Sequence, residues 1–317
     1  MTYEGGAQLA EVVRSGFVEG THRGSVVVLD ATGATVGASG DVRSPVFPRS
    51  ANKPMQTVGM IRAGLPLTDP ADLALVSASH AGEEFHLARV AALLAGAGLD
   101  ASALHCPPEL PVGEQAREAA LRAGGGPTRL QMNCSGKHSG MLATCRAAGW
   151  PVDGYWRPEH PLQVALRAAV EDLTGECAAA VGVDGCGAPV FAVSLTGLAG
   201  AFLRLVSAEP GSVPRAVADA MRAHPELVGG TQADDTRLMR GVPGLLGKVG
   251  AEGVFAAALP GVGAVALKID DGAGRARMPV LASALRRLGV DAPVLAEFAE
   301  VPVFGGGLPV GVVRSLW

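Results

Sequence analysis

Charge is what this sequence has least of. Asp, Glu, Lys and Arg together make up 18% of its 317 residues, and 30 acidic against 26 basic side chains leave a formal net charge of only −4. No run of lysine or arginine builds a stripe along one face, so nucleic acid and anionic membrane are poor candidates as partners. Aromatic residues are also scarce, at 4%, while 44 glycines and many alanines imply close packing of small side chains in a compact globular chain. The opening "MTYEGGAQLAEVVRSG" lacks a basic start followed by an apolar run. No secretory signal is therefore expected, and the reading is cytoplasmic. The longest uncharged stretch, Gly185 to Leu203, holds Pro189, Ser194, Thr196 and several glycines, which reads as a buried turn and helix and not a membrane span. Five cysteines, an odd number without regular spacing, argue against a disulfide framework and for packing, metal or catalysis.

What is present is strand-like at both ends and helical between. "GSVVVLDATGATVGASG" places β-branched residues beside an Asp-Ala-Thr-Gly turn, and "GVFAAALPGVGAVALKIDDG" places Pro260-Gly261 between two apolar runs; each reads as a hairpin. "EEFHLARVAALLAGAG" aligns Leu87, Val90, Ala91 and Leu94, and "HPLQVALRAAVEDLTG" aligns Leu162, Leu166, Val170 and Leu173. Both are expected to be amphipathic helices, with "RMPVLASALRRLG" as another. The expectation is a single mixed α+β domain over residues 1–317, its sheet assembled from N- and C-terminal strands around a helical region at about 80–240.

Chemistry concentrates in four places. In "PRSANKP", Ser50 and Lys53 stand three apart, on one face of a helical turn, where a neutral lysine can take a serine proton. That needs burial or a neighbouring cation, since lysine ordinarily titrates near 10.4. Pro54 offers no N–H to the Ser50 carbonyl, so the helix must begin at or just after Ser50, where free N–H groups can stabilise an oxyanion. The plain alternative is an N-cap serine and a solvated lysine. "SASHAGEE" sets Ser79 and His80 before a helix, either as a cap or as a second hydroxyl and proton relay. "NCSGKHSG" puts Cys134, Lys137 and His138 on one turn: a thiolate and its base, half a metal site shared with Cys186 of "VDGCGAP", or an anion-binding turn. Cys-x-x-Lys is not ordinary zinc spacing, and Cys186 beside Asp184 also reads as a buried structural thiol. Lys248 in "GKVGAEGV" is either an exposed turn lysine or a cation on a sheet edge facing the serine, with flanking glycines admitting substrate.

Taken in order, "THRG", "PRSANKP", "SASHAGEE", "NCSGKH", "VDGCGAP", "HPE", "GKVGAEG" and "LKIDDG" resemble the asparaginase II family, the class 3 or Rhizobium-type L-asparaginases, from about Glu19 to about Leu288. The resemblance implies a fold similar to serine β-lactamases and class A glutaminases, a homodimer, and hydrolysis of L-asparagine to L-aspartate and ammonia. It implies two serine–lysine pairs, Ser50 with Lys53 and Ser79 with Lys248. It also implies zinc on Cys134, Lys137 and Cys186, with Arg49, Asp184, His138 and His80 around the substrate. Two departures accompany it. "VFGGGLPVGVV" lacks an asparagine-histidine-arginine stretch associated with many members, and Val249 and "SASH" replace the Lys-Ser/Thr-Gly and Ser-Asp-Asn of β-lactamases, which disfavours penicillin chemistry. The competing classes are a glutaminase or other acyl-enzyme amide hydrolase and a non-catalytic zinc-binding protein.

Overall fold

The structure is a computed structural model that describes residues 2–317. The chain opens with β1 (Ala7–Arg14), β2 (Phe17–Asp30) and β3 (Thr35–Ser39). Six helices follow: α1 (Lys53–Arg62), α2 (Pro70–Val76), α3 (Glu84–Gly96), α4 (Glu114–Arg122), α5 (Ser135–Ala148) and α6 (Pro161–Thr174). A short hairpin of β4 (Val181–Val183) and β5 (Pro189–Phe191) leads to α7 (Leu195–Ser207), α8 (Val213–Ala223), α9 (Pro225–Val228) and α10 (Asp234–Gly241). The C-terminal part supplies β6 (Leu246–Gly250), β7 (Val254–Leu259), β8 (Gly263–Ile269), α11 (Gly274–Arg287), α12 (Pro293–Ala299), β9 (Glu300–Gly305) and β10 (Leu308–Ser315).

The main sheet has eight strands in the order β6-β7-β8-β2-β1-β10-β9, with β3 added on β2, and every pairing is antiparallel. First and last strands are neighbours, Ala10 facing Ser315, so the two ends of the chain close one sheet around the helical body. This is the expected α+β architecture. Helical structure runs from α1, where the helix after Ser50 was expected, to α10, and the β4–β5 hairpin interrupts it.

Both expected hairpins form for local reasons. The Asp30 carboxylate accepts from the Thr32 and Ala34 N–H groups and from the Thr32 hydroxyl, which folds the chain back from β2 into β3. Between β7 and β8, Gly261 turns at φ +72°, a conformation that costs an L side chain energy. β7 and β8 are buried almost throughout and contact α7 and α11, which explains their unbroken runs of alanine and valine. Gly185 to Leu203 becomes a turn, β5 and most of α7, and among the described residues no helix is long and apolar enough to cross a membrane.

The apolar face of α6 is the expected one: Leu162, Leu166, Val170 and Leu173 are all buried. α6 packs on α1 so closely that a Cβ on Gly59 would lie 3.0 Å from both Ala169 and Leu166. The face of α3 differs from expectation, burying His86, Val90, Leu93 and Leu94 and leaving Ala91 exposed. His86 is the cause. Its Nδ1 accepts from the Glu83 N–H and its Nε2 donates to the Glu226 carbonyl, so a polar anchor and not apolar period fixes the helix rotation.

Candidate active site

A single 3-10 turn, Arg49–Asn52, leads into α1, so the helix begins where Pro54 requires and Lys53 is its first residue. Lys53 is only 1% exposed, and its ammonium group spends all three N–H bonds inside the protein. They reach the Ala78 carbonyl at 2.5 Å, the Ser79 Oγ at 2.9 Å and the Cys134 Sγ at 3.0 Å. The expected pairing is thereby crossed. Lys53 bonds Ser79, and no hydrogen bond among the described residues joins it to Ser50. Ser50 remains on the turn one residue after Arg49, whose backbone sits in the left-handed region at φ +52°. That strain, unusual for a residue with a side chain, lies next to the expected nucleophile.

Cys134 brings the second group. α5 starts directly after it, and Cys134, Lys137 and His138 are buried, as is Cys186 arriving from the β4–β5 turn. Lys137 Nζ donates to Cys186 Sγ at 3.1 Å, and the single Cys134 thiol proton lies within reach of either the Asn133 Oδ1, at 3.1 Å, or Cys186. The hydrogen bond from Cys134, then the Lys137 charge and His138, hold Cys186 well below the usual thiol range, while that bond and burial drive Cys134 well above it. Burial alone would lower Lys137, but the Cys186 charge and Cys134 raise it instead. His138 accepts at Nδ1 from the Tyr155 hydroxyl, 2.7 Å away, because that hydroxyl already accepts the His105 N–H. Its Nε2 is buried without a hydrogen-bond partner and faces Cys186.

Lys248, on β6, completes the set. It is fully buried, donates to the Val249 carbonyl at 3.1 Å and stands 3.4 Å from Asp235 Oδ2. Burial pulls it down to about 8, against the attraction of Asp235 and with the help of the Lys53 charge. It makes no hydrogen bond to Ser79 among the described residues. Ser79, Asp235 and Val249 do share the lining of one cleft of about 380 Å³, together with Glu83, Gln115, Thr231 and Gln232. A larger cavity of about 910 Å³, beside Phe85, Arg89 and Arg146, contains none of these groups.

A model of the L-asparaginase II family matches residues 10–315. The chain belongs to the L-asparaginase II family. The match covers nearly every element of the fold. No curated protein sequence matches it significantly. Among solved structures, Mglu in its native form is 15% identical, over 83% of this chain and 63% of that one, at TM-score 0.44. The chain thus spans less than two thirds of the Mglu length. Simvastatin synthase from Aspergillus terreus is 12% identical over 87% of this chain and 92% of its own at TM-score 0.38, and a β-lactamase from Mycobacterium bovis is 14% identical over 87% and 94% at 0.36. Likeness at such scores says nothing of activity.

For this L-asparaginase II family chain, the remaining expected residues divide by whether they are free to meet a ligand. Arg49 Nε binds Asp184 Oδ1 at 2.7 Å, joining the turn before α1 to the β4–β5 turn, and its NH1 lies 3.6 Å from Glu252. His80 is different. Its Nδ1 accepts the Gly82 N–H and its Nε2 donates to the Ser135 hydroxyl, so the buried ring braces two loops and leaves no nitrogen for substrate. Asp235, Asn133 and Tyr155 are in the site but were not picked out from sequence. One signal was available: the chain has four lysines against 22 arginines, and three of the four, Lys53, Lys137 and Lys248, are at most 1% exposed and belong to this cluster.

Among the described residues no three His, Cys, Asp or Glu side chains gather as a metal site. Cys134, Lys137 and Cys186 nonetheless converge, with the partnerless Nε2 of His138 beside them. Two sulfurs and an amine nitrogen form a donor set that suits a soft, borderline cation such as zinc.

Proposed function

We propose that this protein is an L-asparaginase that hydrolyses the side-chain amide of L-asparagine to L-aspartate and ammonia through an acyl-enzyme. The observation that carries the reading is the convergence at Lys53 of three segments far apart in the chain, ending in Ser79, Cys134 and Lys53 itself, beside a cleft of amino-acid size. Ser50 Oγ attacks the amide carbon, and Lys53 in its neutral form takes the serine proton. N–H groups at the start of the helix face the oxyanion. Ser79, bonded to Lys53, passes that proton to the departing nitrogen, and ammonia leaves. Water then adds to the ester, Lys53 takes its proton, and collapse returns a proton to Ser50 and frees aspartate. Arg49, held by Asp184, offers its remaining N–H groups to the α-carboxylate.

Zinc, when bound by Cys134, Lys137 and Cys186, would balance the thiolate charge and polarise groups at the rim of the pocket. Lys137 would have to shed its proton to ligate, so metal binding should release protons. Metal content of the purified protein, and its loss in Cys186→Ser, tests that assignment.

A second reading makes Ser79 the nucleophile. The 2.9 Å bond from Lys53 and the position of Ser79 in the cleft lining favour it. Ammonia release from L-asparagine and L-glutamine by the wild type, Ser50→Ala and Ser79→Ala decides among these readings. Fast release from asparagine that Ser50→Ala abolishes supports the proposal; preference for glutamine moves the activity to a glutaminase, and no release from either amide removes the amidase reading.

A further inference from the structure

The cleft contains one fully enclosed carboxylate that neither serine–lysine pair accounts for. Asp235 is 1% exposed, stands in the first turn of α10 and lines the same cleft as Ser79. Its Oδ1 accepts the Thr236 N–H at 3.2 Å, and its Oδ2 faces Lys248 Nζ at 3.4 Å. The loop before α10 is shaped to admit this group: a Cβ on Gly229 would come within 2.2 Å of Asp235 Oδ1. An acid at the start of a helix ordinarily points to solvent and stabilises the helix dipole. This one is turned inward, at the desolvation cost that a buried charge carries.

The two buried lysines that bond residues of the cleft lining differ in what they face. Lys53 has a carbonyl, a hydroxyl and a thiol as partners, and no carboxylate. Lys248 has a carbonyl and Asp235. Its charged and titratable neighbours are Asp235 from α10, Lys53 from α1 and Cys134 at the start of α5. Ala256 lies opposite it on β7. A buried ammonium group without a counter-charge is costly, and Asp235 is the carboxylate within reach of Lys248.

We infer that Asp235 is a positioning residue that anchors Lys248 beside the cleft and keeps it as the ammonium ion. Lys248 then stabilises negative charge as it develops in the cleft. The catalytic half of this inference rests on the serine–lysine hydrolysis proposed above; the pairing of Asp235 with Lys248 does not.

The scarcity of lysine makes the test direct. Protein labelled with 13C at lysine Cε carries four such signals, and the Lys248 signal is the one missing from Lys248→Met, or from Lys248→Arg if the first variant does not fold. In the wild type this signal titrates near pH 8. In Asp235→Asn its midpoint falls by about 1 to 3 pH units, because the ammonium form loses its counter-charge. The alkaline limb of the kcat profile for asparagine falls with it, so activity lost at neutral pH returns on acidification. Asp235→Glu keeps both near their wild-type positions. An unmoved Lys248 midpoint in Asp235→Asn overturns the inference whatever the activity. A midpoint that falls while the kcat limb stays overturns the catalytic role. A midpoint that falls in a protein that releases no ammonia from asparagine upholds the hold of Asp235 on Lys248 and removes the amidase reading instead.

Discussion

The buried lysine cluster behind the cleft and the outer surface use their cations in opposite ways. At the surface, arginines meet carboxylates within one helix or across neighbouring strands, as in Arg122 with Glu118, Arg167 with Glu171 and Arg314 with Glu11. In the cluster, lysines are enclosed and meet hydroxyl, thiol and carbonyl groups, and among the described residues the one carboxylate paired with an enclosed lysine is Asp235. The difference follows from what each side chain can do. Arginine keeps its proton in every surrounding, whereas lysine is a point charge whose proton can be moved by burial. A solvated ion pair contributes about 0 to 1 kcal/mol, so the surface tolerates change; an enclosed amine in a low-dielectric site responds to each neighbour.

The comparison can be broken or sharpened by substitution. The largest effect belongs to Lys53. Lys53→Met should lower kcat for asparagine by about 10² to 10⁴-fold, the range for a lost proton-transfer group, measured as ammonia release from protein that keeps its circular dichroism. Comparable activity in this variant would place the proton transfer elsewhere. Leu166→Ala, at the α1–α6 contact outside the cleft, should cost about 2 to 5 kcal/mol in denaturant unfolding while leaving most of kcat in the folded fraction.

Next comes the pH dependence of stability. Lys248 titrates near 8 in the folded protein and near 10.4 when unfolded, so between these values the unfolded chain binds the extra proton. This group therefore makes stability rise with pH from about 8 to about 10. Denaturant melts across that window should show a shallower rise in Lys248→Met than in the wild type, and equal slopes would contradict the burial argument. The smallest effect is expected at the surface: Arg122→Ala should change stability by less than about 0.5 kcal/mol and leave kcat unaltered.

Those four positions also mark where sequence was informative. Local signals carried the secondary structure: the Asp30 turn, the Pro260-Gly261 turn and the Leu162-Leu166-Val170-Leu173 stripe each depend on residues within one turn of one another. α3 was misread because His86 reaches Glu226, 140 residues away, and no helical period contains that contact. The site shows the same division. Spacing placed Lys53 at the start of a helix but assigned it to the serine three residues before, when the hydroxyl it binds arrives 26 residues later from beyond α2. Cys134, Lys137 and Cys186 were grouped through family motifs and do meet, although spacing alone left them open. Asp235 was invisible, since an acid in a first helical turn looks like any other cap until the fold turns it inward.

The central claim is that Ser50, and not the lysine-bonded Ser79, carries the acyl group. The most direct measurement is acid quenching of the enzyme during turnover of L-asparagine, followed by mass spectrometry of the intact protein and of its peptides. The account predicts a single added aspartyl group on the peptide that contains Ser50, absent in Ser50→Ala. An aspartyl group on Ser79 that persists in Ser50→Ala would contradict it.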